Sequence, residues 1–87
     1  KEYHEKALAI REQLAAETNT VEAFHDLAIS YYNMSLVCQG EEKRGYLIKA
    51  LNIMNALCEQ CPDVAEFKQH RGIIQSMLDS LDEDETE

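Results

Sequence analysis

A segment of this chain occurs twice. Ala7-Leu8-Ala9-Ile10 returns as Ala50-Leu51-Asn52-Ile53, and the same offset of 43 residues carries Tyr3 onto Tyr46, Lys6 onto Lys49, Leu14 onto Leu57, Val21 onto Val64, Phe24 onto Phe67 and Met34 onto Met77. A helical unit of roughly 40 residues used twice predicts stacked helix pairs, each burying its apolar face against the next. Arrays of that kind hold partners and seldom do chemistry.

Composition narrows the field further. The 87 residues make one domain, and a single core of that size is marginal unless something covers its ends. Three Gly, one Pro and no Trp leave little material for a turn-rich β fold. With 17 acidic against 8 basic residues the formal charge is −9, which opposes DNA, RNA and anionic membrane surfaces, since phosphate affinity depends on Lys and Arg. No apolar run approaches the roughly 20 residues of a membrane span, and no charged start with an apolar middle marks a signal peptide. Three cysteines are too few for a disulfide framework. A soluble, cytoplasmic protein is the expectation. Lys1-Glu2-Tyr3 already carries helical pattern without a Met, which suggests a piece of something longer.

The pattern gives four helices. In the first, roughly 2–18, Tyr3, Ala7, Ile10 and Leu14 recur at steps of three and four and form the expected buried face. Thr18-Asn19-Thr20 offers cap residues. The second, roughly 21–39, buries Phe24, Leu27, Ala28, Tyr31, Met34, Ser35 and Cys38, and Gly40 is expected to end it in the left-handed conformation. Glu41-Glu42 favour the start of a third helix, which turns Leu47, Ala50, Leu51, Met54, Leu57 and Cys58 inward and is stopped by Pro62. Asp63-Val64-Ala65-Glu66 reads as a capping box for a fourth, striped by Phe67, Ile74, Met77, Leu78 and Leu81. Ile73 widens that stripe beyond one side, so the end helices are expected to self-associate or to meet a further repeat. Residues 1–81 are thus expected to form the helical domain and 82–87 an acidic disordered tail.

These residues carry a family resemblance. Tyr31-x-x-Met34-Ser35-x-x-Cys38 resembles the first-helix signature of the tetratricopeptide repeat, with its large anchor, an aliphatic one turn on, and a small residue where the partner helix crosses. Tyr46-Leu47-Ile48-Lys49-Ala50-Leu51 and His4-Glu5-Lys6-Ala7-Leu8 resemble its second helix. Ala7-Leu8-Ala9-Ile10-Arg11-Glu12 and Pro62-Asp63-Val64-Ala65 resemble the long-repeat variety of kinesin light chains and many bacterial repeat proteins. The period departs from the family's 34 residues, and armadillo and HEAT repeats, with periods near 40–47, are the alternative within the same class. The resemblance implies an all-α solenoid fragment of stacked antiparallel hairpins, holding two units out of frame.

Candidate chemistry is thin. Cys58-Glu59-Gln60-Cys61 is a C-x-x-C, half of a zinc site or a redox pair, but no second C-x-x-C follows and no βαβ pattern surrounds it. Two small apolar residues at a helix end is the simpler reading. His4, His25 and His70 sit on separate helices, and no Gly-rich phosphate loop, Ser/His/Asp order or H-E-x-x-H occurs. No cofactor, metal or catalytic role is assigned.

The resemblance does imply a binding surface. First-type helices of the family line a concave face, which here selects His25, Ile29, Tyr32, Leu36 and Gln39 on the second helix. Shifted by 43, it selects Lys68, Gly72, Gln75, Asp79 and Asp82 on the fourth. The expected function is a protein–protein interaction module presenting a groove to a neutral or basic peptide or protein. The alternatives are a structural spacer or oligomerisation segment and, further off, a zinc or thiol site at Cys58 and Cys61.

Overall fold

The computed structural model describes the backbone of residues 2–86 and the side chains of residues 5–81. The side chains of Tyr3, His4 and Asp82, and of the rest of the acidic run at 82–87, lie outside the described ones. Four helices follow one another: α1 (Glu2–Thr18), α2 (Val21–Leu36), α3 (Gly40–Gln60) and α4 (Ala65–Thr86), with no strand among the described residues. The turns at 19–20, 37–39 and 61–64 are short, so each helix folds back on the one before it, and α1 packs on α2, α2 on α3 and α3 on α4. The Cα framework measures 42 × 33 × 14 Å. Its thin dimension matches two helix layers, since axes about 8–10 Å apart add a Cα radius of about 2.3 Å on each side.

Local chemistry sets the turns. Thr20 caps α2, its hydroxyl accepting the Ala23 N–H at 3.2 Å, and Asn19 takes the left-handed conformation (φ 51°) that its side-chain type tolerates. The next turn departs from expectation. α2 ends at Leu36 and not at residue 39, and the left-handed Gly40 (φ 64°) opens α3 instead of closing α2. Gln39, extended at φ −136° and ψ 161°, is the N-cap residue of α3. Cys38 is nevertheless buried, reaching the core from the turn, so its helical spacing from Met34 and Ser35 is met without helical backbone. α4 begins at Ala65, one residue later than a cap at Asp63 implies.

Leu27, Ala28, Tyr31, Met34 and Ser35 of α2 meet Leu47, Ala50, Met54, Leu57 and Cys58 of α3 in one core, closed by Phe67, Ile74 and Leu78 of α4. Ala50 and Ser35 are both at 0 % exposure, the small residues expected at close helix crossings. Ser35 satisfies its buried hydroxyl by donating to the Tyr32 carbonyl at 2.5 Å. Phe24, Met77 and Leu81, expected in the core, are half-buried against it.

The buried face of α1 is not the expected one. Ile10 is 67 % exposed and Leu14 49 %, whereas Leu8 and Ala15 are buried. The helix is rotated by roughly a third of a turn from the face its larger residues suggested. One contact accompanies this face: Tyr31 of α2 donates its hydroxyl to Glu12 at 2.5 Å, and Glu12 lies one turn from both Leu8 and Ala15.

Candidate functional site

Three helices carry the surface around α2, and the side that matters is shared with α4. His25, one turn into α2, lies against the start of α4. Its ring is stacked parallel to His70 (centroids 5.1 Å, interplanar angle 6°) and tilted on Phe67 (5.0 Å, 47°). His25 Nε2 is 3.1 Å from His70 Nδ1 and 4.0 Å from Glu66 Oε1. One imidazole therefore donates and the other accepts, and each ring has a second nitrogen for another partner. Two turns along α2, Tyr32 meets His70, Ile73 and Ile74 around a cavity of about 170 Å³. The result is an apolar slot with a phenol and an imidazole at its edge.

The positions selected from the sequence divide. His25, Ile29 and Tyr32 are half-buried on the α4 side of α2. Leu36 is 53 % exposed at the end of the helix. Gln39 is off the helix, in the turn that starts α3. Lys68, Gln75 and Asp79 are exposed, Gln75 Nε2 donating to Asp79 Oδ1 at 3.0 Å. They do not line the slot, nor does Gly72, which borders a shallow trough with Gln69, Ile73, Ser76 and Met77. The shift by 43 residues misses because two helices lying side by side touch through opposite flanks. The residues of α4 that face α2 therefore occupy different repeat positions from those of α2 that face α4. Glu66, His70 and Ile73, spaced by four and three, are the signal that finds the right flank.

Elsewhere the chemistry is structural. Tyr31 stacks on Tyr46 (6.1 Å), and Lys49 Nζ lies 5.6 Å and 5.8 Å from the two ring centroids, a cation over paired phenols. Burial pushes the Tyr31 phenol well above its ordinary range, helped by the hydrogen bond and charge of Glu12 and by Tyr46. A second cavity, about 380 Å³, lies where Phe24 of α2 approaches Ile53 and Leu57 of α3, rimmed by Asn19, Asn52 and Gln60.

Cys38 and Cys58 are buried thiols and Cys61 is half-buried, with no disulfide among them. Among the described residues no group of three or more His, Cys, Asp and Glu side chains is arranged to hold a metal ion. Among them, too, no helix is long and apolar enough to cross a membrane. Comparison with protein-family models gave no match, and neither curated proteins nor solved structures gave a significant similarity.

Proposed function

We propose that this chain is a protein–protein interaction module of the tetratricopeptide kind, binding a peptide or a partner's helix in the slot between α2 and α4. The observation that carries this reading is the convergence of Tyr32 from α2 with His70 and Ile73 from α4 on an apolar cavity, with His25 of α2 held against His70 beside it. Tyr rings and apolar pockets with a few placed polar groups are the usual anchors of recognition surfaces. Tyr31, Met34 and Ser35 of α2 and Phe67, Ile74 and Leu78 of α4 are buried in one core with α3, which favours a preformed slot. A net charge of −9, with Glu66 beside the slot, favours ligands carrying Lys or Arg and speeds their encounter. No catalytic step is assigned to it.

Selection from a displayed random-peptide library tests the reading. Ligands enriched in Lys or Arg beside an aliphatic or aromatic residue, perturbing the NMR signals of His25, Tyr32, His70 and Ile73 on binding, support it. Selected ligands that map to another face contradict it.

A further inference from the structure

The contact between His25 and His70 decides what the slot can offer a ligand. Nε2 of His25 and Nδ1 of His70 are 3.1 Å apart, and two neutral imidazoles bond at that distance only if one facing nitrogen carries a proton and the other a lone pair. A neutral ring has one N–H, so the choice at the facing pair also fixes the outer nitrogens. If His25 Nε2 donates, His70 accepts at Nδ1 and carries its own proton at Nε2. If His70 Nδ1 donates instead, its Nε2 is a bare acceptor and His25 holds its proton at Nδ1.

Two effects favour the first arrangement. Glu66 Oε1 lies 4.0 Å from His25 Nε2, and a carboxylate draws the ring's proton to the nitrogen beside it. Glu66 is 62 % exposed, so water and salt screen part of that pull. The other effect belongs to the imidazole: a neutral histidine side chain prefers its proton at Nε2, and the first arrangement meets this preference on both rings while the second meets it on neither. Buried Phe67 holds His25 in place for the contact, its ring tilted on the imidazole at 5.0 Å.

We infer that His70 Nε2 is an N–H donor at the edge of the slot, set by His25 as a positioning residue, and that it selects an unpaired backbone carbonyl of the bound peptide. The inference rests on the slot reading and narrows it. His70 lines the cavity with Tyr32, Ile73 and Ile74, and because Nδ1 is turned to His25, Nε2 is the nitrogen left for a ligand. A donor there calls for an acceptor. Glu66 and the net charge of −9 disfavour a carboxylate. A helix bonds its own carbonyls everywhere but in its last turn, whereas an extended segment leaves them open. The slot therefore takes an extended peptide and not a partner's helix, with a carbonyl on His70, an apolar side chain beside Tyr32 and Ile73, and a Lys or Arg near Glu66.

The first measurement needs no ligand. Long-range proton–nitrogen NMR correlations on the whole, isotope-labelled chain, taken at about pH 8 to keep the imidazoles neutral, are expected to show both rings protonated at Nε2 and bare at Nδ1. A proton on Nδ1 of His70 overturns the assignment. The second measurement uses a basic peptide from the library selection, resynthesised with each backbone amide replaced in turn by an ester, whose carbonyl is the weaker acceptor. One ester is expected to weaken binding to the unaltered protein about three- to tenfold and to make no difference with His70→Phe, which keeps a ring and removes the donor. Circular dichroism checks that His70→Phe stays folded, and the tautomer spectrum, taken on the unaltered chain, decides the donor whether or not it does. Ester losses that are equal in the two proteins, or a peptide that turns helical on binding, overturn the selection of a carbonyl. The failures are separable: a library that yields no peptide for the slot contradicts the slot reading, whereas a slot-bound peptide beside an Nδ1-protonated His70 contradicts this inference alone.

Discussion

The imidazole of His25 on α2 lies parallel to that of His70 on α4, with Nε2 and Nδ1 3.1 Å apart. The two helices are separated in sequence by the whole of α3, and this contact joins them at the mouth of the slot. A double-mutant cycle with His25→Ala and His70→Ala should give a coupling energy of about 0.5–1.5 kcal/mol, the size of one net hydrogen bond between the rings. Strictly additive losses, measured by urea unfolding, would mean that the rings do not meet in solution.

Alkaline pH should expose the Tyr31–Glu12 contact. The phenol is held neutral by burial first and by Glu12 second, so its folded value lies above its unfolded one of about 10. Stability from this group is complete below about pH 10 and is lost as pH rises beyond that, because the unfolded chain releases the proton first. Tyr31→Phe should cost about 1 kcal/mol at neutral pH and flatten the fall above pH 10, read from thermal midpoints between pH 8 and 11.

The rotation of α1 has a direct consequence for stability. Leu8→Ala, which empties a core position, should cost about 2–4 kcal/mol, whereas Ile10→Ala should cost under about 1 kcal/mol. Equal losses at the two sites would return α1 to the face that its larger side chains suggested.

Overfilling a fully buried small position is the converse test. Ala50 has no exposed surface, so Ala50→Leu should destabilise by about 1–3 kcal/mol in denaturant titration, while the same change at the exposed Ala56 should be near neutral. A stable Ala50→Leu protein would mean that the core around Ala50 is not closely packed.

How much of this was legible depended on how many constraints met at each position. α3 was readable because Glu41 and Glu42 begin it, Pro62 follows it, and Leu47, Ala50, Met54 and Leu57 keep one period throughout. α1 was misread because Ile10 and Leu14 outweigh Leu8 and Ala15 in bulk, and hydropathy does not show that Tyr31 anchors on Glu12. The end of α2 was placed too late because Cys38 keeps helical spacing while sitting in a turn. In the candidate site, His25 and Tyr32 were legible as a stripe on one helix. His70 and Ile73 were not, because repeat equivalence copies one flank of a helix while neighbouring helices touch through opposite flanks.

The central claim is that the slot between α2 and α4 binds a partner while the core beneath it carries the fold. Tyr32 is half-buried at the cavity wall and packs against the core without belonging to its buried set. The most direct measurement is Tyr32→Ala, with circular dichroism, thermal unfolding and the affinity of a library-selected basic peptide read on the same sample. The account predicts unchanged helicity, a thermal midpoint lowered by only a few degrees, and binding weakened by about 1–3 kcal/mol. A chain that unfolds on this substitution, or that binds the peptide as before, would contradict it.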